Sequence, residues 1–214
     1  MKYRCDKIFD CEDQADEENC DYFEVDADTY NKKYPPVNRK HGIDVDVLLT
    51  VESLQNIKEL DMSFDAKFTL KMEWFDSRLR YKNLIDDDYK NLLTNLVKEE
   101  NKRNIWIPEI LFSNTDENIK VVNGPRTILF INKQGSHTIA PLTSLNEDFF
   151  YKGSENILVL KVGYTLSFQC KFQLNAYPFD TQTCRIEVIN LFKKIFTSLW
   201  IIYTCKYVIH QCNI

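Results

Sequence analysis

The sequence is short of several things at once, and each shortage removes a class of function. Its three histidines, His41, His137 and His210, are scattered along the chain. They stand outside metal or triad spacing, and no other catalytic constellation appears, so the sequence gives no reason to expect an enzyme. Lysine and arginine do not cluster, which argues against a nucleic-acid surface. Long apolar runs are missing too. The longest mostly apolar stretch, Ile195 to Cys205, is about eleven residues before Lys206, whereas a membrane-spanning helix needs about twenty. There is no Asn-x-Ser/Thr acceptor and no apolar leader, since Met1-Lys2-Tyr3-Arg4 runs straight into Cys5. The expectation is a natural start further upstream, with this chain a fragment.

What is present is enough for one sizeable core or a domain plus a small module: 214 residues with a formal charge of −5. That charge is uneven. Eleven acidic residues and one lysine lie between Cys5 and Asp28, while three lysines and no acids lie after Asn190. Seven cysteines, three of them closely spaced near the N-terminus, suggest an oxidising, extracellular setting.

The organising stretch runs from Cys170 to Cys184 and reads Cys-Lys-Phe-Gln-Leu-Asn-Ala-Tyr-Pro-Phe-Asp-Thr-Gln-Thr-Cys. The approach to it alternates with period two. Leu158, Leu160, Val162, Tyr164, Leu166, Phe168, Cys170 and Phe172 share one face, as in a strand with one buried side. A disulfide joining Cys170 to Cys184 closes a loop of about fifteen residues, worth roughly 3 kcal/mol. Pro178 fixes its own φ and biases Tyr177 away from helix, so the loop turns at a set place. Earlier, Ile43 to Val51 alternates, a turn is expected around Gln55 to Glu59, and Met62 to Trp74 alternates again, forming a hairpin. Residues 83–99 change to helical spacing through Leu84, Tyr89, Leu92, Leu93 and Leu96, predicting a short helix. A strand is expected at Thr127 to Asn132 between turn signals at Asn123-Gly124-Pro125 and Gln134-Gly135.

The Cys170–Cys184 stretch resembles the signature loop of the Cys-loop, or pentameric ligand-gated, ion channel receptors. Tyr177, Pro178, Phe179, Asp180 and Gln182 all match it. Two further boxes follow the family order: Trp74-Phe-Asp76-Ser-Arg78-Leu79-Arg-Tyr81 resembles its Trp-x-Asp-x-Arg-Leu box, and Trp106-Ile-Pro108-Glu109 its Trp-x-Pro-Asp segment, with Glu for Asp. The resemblance covers roughly residues 43–190. It implies an all-β, immunoglobulin-like sandwich, incomplete here, that serves as the extracellular ligand-binding domain of a channel subunit. It also implies a small-molecule, neurotransmitter-like ligand held between the subunits of a homo- or heteropentamer at the cell membrane. Carried over by position, Thr69, Lys71, Lys161 and Thr165 fall on the complementary side of that pocket and Ser113 on the principal side. Lys58, Glu59, Tyr177, Pro178, Phe179 and Asp180 fall where the family couples binding to the gate. Asp76 and Arg78 read as a structural ion pair. A plain solvated strand face remains the alternative for Thr69 and Lys71, and loop capping for Ser113.

Residues 1–20 resemble the second half of an LDL-receptor class A module. That resemblance implies a calcium ion held by Asp6, Asp10, Asp16 and Glu17, oxygen donors suited to a hard cation, and a Cys5–Cys20 disulfide. Cys11 would then pair within a preceding half-module. Residues 21–42 read as a linker, and residues 191–214 as a tail outside the family pattern, explained by intron read-through or a frameshift. A soluble secreted binding protein, or a calcium-dependent binding module, stays open as the other class of function.

Overall fold

The computed structural model describes residues 11–13, 23–25, 29–36, 43–85, 95–115, 127–139, 149–176, 181–190 and 200–206. The protein is all-β, of the sandwich class. Its strands in chain order are β1 (Phe23–Glu24), β2 (Val45–Lys58), β3 (Ser63–Trp74), β4 (Arg80–Lys82), β5 (Ile110–Phe112), β6 (Thr127–Asn132), β7 (Thr138–Ile139), β8 (Phe149–Lys152), β9 (Ile157–Gln169), β10 (Thr181–Asn190) and β11 (Trp200–Lys206). They form sheets ordered β2-β3-β9-β6, β1-β4-β8-β7 and β11-β10-β5. By packing the chain divides into two units, which strands β2, β3 and β9 both serve.

The period-two pattern of β3 is realised without interruption. Phe64, Ala66, Phe68, Leu70, Met72 and Trp74 are buried, while every residue between them is half-exposed. On β9 the alternation holds from Leu160 onward, but Leu158, Val159 and Leu160 are all buried. That end of the strand is covered on both faces, so alternation under-counted its core.

The first unit holds residues 71–108 and 128–161 together with the start of the chain. Trp74 and Trp106 meet edge to face at 6.1 Å, an arrangement that suits the aromatic quadrupoles. Asn95 fixes a crossing. Its φ of 55° places it in the left-handed region, which asparagine tolerates better than most residues. Its side-chain oxygen accepts from the Ile85 N–H at 2.9 Å, and its amide donates to the Ile85 and Ile131 carbonyls at 3.0 and 3.2 Å. Asn156, fully buried, does the same for the turn at Gln134-Gly135. Its Oδ1 accepts from both backbone N–H groups at 2.9 and 3.1 Å, and its Nδ2 donates to the Lys152 carbonyl at 2.8 Å.

The second unit holds residues 48–70 and 109–127 and the chain from Val162 onward. Its core is a cluster of rings, with Phe68 5.4 Å from Phe112, 5.3 Å from Tyr164 and 6.0 Å from Phe168. Phe64 stacks on Phe168 at 5.6 Å.

Three expectations shift. The β2–β3 turn falls at Glu59–Met62 rather than Gln55–Glu59, closed by the Met62 N–H on the Glu59 carbonyl at 3.3 Å. β2 runs on to Lys58 because Asn56 takes a φ of 47° within the strand and its amide holds Asp65 across the hairpin at 2.8 Å. Met62 belongs to this turn, not to the buried face. Of the helix expected over 83–99, residues 86–94 lie outside the described residues. Its described ends, Asn83–Ile85 and Asn95–Lys98, are not helical, and Leu96 bridges to Phe130. Just beyond it a helical turn, α1, spans Glu99–Lys102.

The stretch read as a linker and the tail read as outside the family pattern both make contacts where they are described. In residues 21–42, Phe23 packs edge to face on Tyr81 at 5.3 Å, and the Lys32 ammonium donates to the Arg103 carbonyl at 2.7 Å. In the tail, β11 pairs antiparallel with β10, from Thr181 opposite Lys206 to Glu187 opposite Trp200.

Candidate functional site

The disulfide that frames the signature loop is present, Cys170 to Cys184, with Cα atoms 5.4 Å apart. Residues 177–180, which carry Tyr177, Pro178, Phe179 and Asp180, lie outside the described residues. The limbs of the loop are fixed by Gln182, whose family match had no stated role. Its Oε1 accepts from the Gln173 N–H at 2.8 Å and its Nε2 donates to the Gln173 carbonyl at 2.9 Å. A buried primary amide thus imitates a strand partner and satisfies both backbone groups of Gln173. The Cys170 N–H donates to the Met62 carbonyl at 2.7 Å, anchoring the loop entrance on the β2–β3 turn. At that turn Leu60 is 98% exposed, and Lys58 sits 4.0 Å from Asp61 with both side chains in water. Glu59 supplies the carbonyl that closes it.

In the first unit, Lys71 pairs with Glu73, two residues on along the same face of β3, at 2.8 Å. Lys161, on β9, places its ammonium 5.3 Å from the centroid of the Phe130 ring, a cation–π contact. In the second unit, the Thr69 hydroxyl donates to Glu52 Oε1 at 2.8 Å, and Lys67 pairs with the same carboxylate at 2.7 Å. Thr165 is exposed on β9. Further along these strands Ser167 donates to Asp65, which also accepts from Asn56. Those hydrogen bonds, with Lys58 nearby, hold the Asp65 carboxyl below its ordinary value.

Ser113 is exposed and doubly tied to β10. Its hydroxyl donates to Glu187 Oε2 at 2.8 Å, and its N–H to the Glu187 carbonyl at 3.0 Å. The neighbouring Asn114 holds three backbone groups on two strands, accepting from the Glu187 N–H at 2.9 Å and donating to the Arg185 and Gln169 carbonyls at 2.7 and 3.1 Å. Sequence reasoning missed Glu52, Glu73, Phe130 and Glu187 as partners. Only Glu73 was within reach of it, since i and i+2 share a strand face.

Asp76 and Arg78 form the structural ion pair. The carboxylate is fully buried. Arg78 donates to it through Nε at 2.8 Å, Nη2 at 2.7 Å and its own backbone N–H at 3.1 Å. Tyr30, from the segment before the first long strand, donates to Asp76 Oδ2 at 3.0 Å and accepts from the Trp106 N–H at 2.9 Å. Its burial raises the phenol above its ordinary value. Arg78 stacks over the Tyr30 ring at 4.4 Å and donates to the Asn31 and Tyr34 carbonyls at 3.2 and 2.9 Å. Arg78 and the N-terminal strap therefore meet at one carboxylate, and Tyr30 carries the contact on to Trp106 of the other box.

Asp6, Asp10, Asp16, Glu17, Cys5 and Cys20 lie outside the described residues. Among the described residues no group of three or more histidine, cysteine, aspartate or glutamate side chains is placed to hold a metal ion. Among them, too, no helix is long and apolar enough to cross a membrane.

Residues 22–192 match the family described as the neurotransmitter-gated ion-channel ligand binding domain. The chain is also similar to a glutamate-gated chloride channel of Drosophila melanogaster, 24% identical over 146 residues, which is 68% of this chain and 26% of that protein. The chain thus spans about a quarter of the length of the curated relative it matches. The match covers the strand carrying Lys71, all three signature boxes and the paired cysteines. This is a ligand-binding domain and not an enzyme, and the chain belongs to the neurotransmitter-gated ion-channel ligand binding domain family.

Proposed function

We propose that this chain is the extracellular ligand-binding part of a neurotransmitter-gated channel subunit, and that its ligand carries a carboxylate. In this reading ligand sits between neighbouring subunits of a pentamer. Thr69, Lys71, Lys161 and Thr165 meet it from the complementary side and Ser113 from the principal side. The observation that carries the carboxylate is the pair of amines on the polar strand faces, Lys71 and Lys161, each engaged by a weak internal partner. Lys71 already grips a carboxylate, that of Glu73, at 2.8 Å, so a ligand carboxylate has a ready-made rehearsal of its own contact. The similar Drosophila protein is by its name gated by glutamate, which agrees with that class of ligand. Thr69, where an aromatic residue is common in the family, gives little to a quaternary amine, which favours aromatic cages.

Lys58, Glu59 and the loop through Tyr177, Pro178, Phe179 and Asp180 then press on the membrane part. Leu60, projecting into solvent at the turn, supplies an apolar tip for that contact. Gating follows if ligand binds the open arrangement more tightly than the closed one.

The test is current recorded from cells expressing the intact gene product, challenged with amino-acid transmitters. Lys71→Met and Lys161→Met are each expected to raise the half-maximal concentration about ten-fold or more, as for loss of a charged hydrogen-bonding partner. Unchanged dose–response curves in both variants sink the carboxylate reading, and an intact product without apolar spans sinks the channel reading. Calcium at Asp6, Asp10, Asp16 and Glu17 belongs to the proposal on the strength of the sequence pattern. Titration calorimetry with calcium, before and after Asp16→Asn, checks it, and absence of binding heat in both would retire it.

A further inference from the structure

Two carboxylate–cation pairs lie close together along the chain at the same spacing, and burial makes them opposites. Asp76 and Arg78, just past β3, form the first. Asp76 is fully buried and receives Nε, Nη2 and the backbone N–H of Arg78 together. Lys71 and Glu73, near the end of β3, form the second. Glu73 gives the ammonium one oxygen, Oε1, at 2.8 Å, and the two side chains keep 27% and 32% of their exposure. Among the described residues this carboxylate is the ammonium's only ion-pair partner. The buried pair is a fastening. The half-exposed pair is a contact that opens, because an ion pair reached by water is worth little.

Residues i and i+2 of a strand point to one face, with their backbones about 6.5–7 Å apart. Lys71 and Glu73 therefore meet by leaning toward each other over the polar face of β3. The Glu73 carboxyl stands at the ammonium, where a ligand carboxyl must come. A second anion either crowds beside the first, against Coulomb repulsion, or takes its place.

We propose that Glu73 is a built-in competitor for the ligand: its carboxylate occupies the Lys71 ammonium at rest, the ligand carboxylate displaces it, and the strength of the Lys71–Glu73 pair sets sensitivity to ligand. The inference rests on the reading of Lys71 as a ligand contact. Glu73 is thereby a specificity-determining residue. A neutral or cationic ligand gains nothing from the exchange, so it selects for anionic groups. Apparent affinity falls with the fraction of time the ammonium is free. At the strength of exposed pairs that fraction is about one fifth to two fifths.

The test is current from cells expressing the intact gene product, with L-glutamate, glycine and γ-aminobutyrate as probes. Wild type, Glu73→Gln, Lys71→Met and the double variant are compared. For the probe that opens the wild-type channel, Glu73→Gln is expected to lower the half-maximal concentration about two- to five-fold. A residue with a merely structural role gives no such gain. Glu73→Asp, which keeps the charge, should stay nearer to wild type. In the Lys71→Met background the Glu73→Gln gain should disappear. If Glu73→Gln does not reach the cell surface, Glu73→Ser carries the same expectation. A Glu73→Gln response that is unchanged or weakened, while Lys71→Met weakens the response, overturns the inference and leaves the ligand reading standing. A gain that persists in full beside Lys71→Met also overturns it, since the carboxylate then acts through space and not through Lys71. Lys71→Met without effect, or no current from any probe, removes the ligand reading at Lys71 and the inference with it.

Discussion

Removing the carboxylate of Asp76 should do more damage than any other single truncation outside the apolar core. The Asp76→Ala change leaves the Arg78 guanidinium without the two oxygens that receive its Nε and Nη2 at 2.8 and 2.7 Å. It also leaves the Tyr30 hydroxyl without its acceptor at 3.0 Å. Hydrogen bonds to charged groups are worth roughly 1.5–3 kcal/mol each, but these share one carboxylate and do not add. Breaking a buried pair from one side costs about 3–5 kcal/mol. The Arg78 side chain keeps 26% of its exposure, and it retains the Asn31 and Tyr34 carbonyls, so water and backbone recover part of the loss. The lower figure, about 3 kcal/mol, is therefore expected. Against a total stability of 5–15 kcal/mol that is a large fraction. For a domain of this size it lowers Tm by roughly 6–12 °C.

The assay is urea unfolding of wild type, Asp76→Ala, Arg78→Met and the double variant. The double variant should cost less than the two singles together, by about 1–2 kcal/mol, because once the carboxylate is gone the guanidinium is a buried liability. Hydrogen exchange adds a local reading: amides of residues 29–36 should lose protection in Asp76→Ala, since Tyr30, Asn31 and Tyr34 are all held through this pair. A loss below about 1 kcal/mol, or strict additivity, refutes the view that the signature Asp and Arg fasten the strap.

Gly153→Ala is expected to cost about 3 kcal/mol in the same melt, because a Cβ there would lie 2.1 Å from the Asp76 carbonyl oxygen and 2.7 Å from that of Leu79; a cost under 1 kcal/mol would mean the turn shifts freely. Replacing Cys170 and Cys184 together by Ala opens a loop with a sequence separation of 14 and should lower stability by about 3 kcal/mol, read as a shift in the urea midpoint. Asp65 has a folded value below its ordinary one, so its contribution is fully present above about pH 4 and is lost as pH falls through the folded value. The stability gap between wild type and Asp65→Asn should therefore narrow from pH 5 to pH 2, and a gap that widens on acidification reverses the assignment.

The strand faces were legible because burial on one side of a sheet writes itself into every second residue. Phe64 to Trp74 needed nothing beyond that rule. Legibility failed where the cause was not periodic. The β2–β3 turn slid because Asn56 adopts a left-handed conformation and stays in the hairpin through Asp65, a side-chain event without a spacing signal. The doubly buried end of β9 reads as one-sided because alternation assigns only every second residue, Leu158 and Leu160, to the core and passes over Val159. Tyr30 had no signal at all: its hydroxyl finds Asp76 and Trp106 across 46 and 76 residues of sequence. Gln182 was seen as a motif match, but its pairing with Gln173 follows only from the closed loop.

The same asymmetry explains why family membership is easier to read than ligand chemistry. The signature residues do structural work that any ligand would require: a disulfide, a glutamine clamp, a buried ion pair. The residues proposed to face a ligand have no such duty, and the partners of Lys71 and Lys161 are weak. Lys71 holds Glu73 with both side chains about a third exposed or less, at 32% and 27%. Lys161 rests on one ring. Exposed ion pairs contribute about 0–1 kcal/mol and exposed cation–π contacts roughly 0.5–1. Neither is strong enough to bar a ligand carboxylate that brings two oxygens and excludes water. Yet both set the charges down in known places before it arrives. In the proposed reading Glu73 is then a competitor as well as a partner. At Lys71 the charge is balanced at rest by a carboxylate that a ligand can displace, and selectivity there lies in what a ligand must beat.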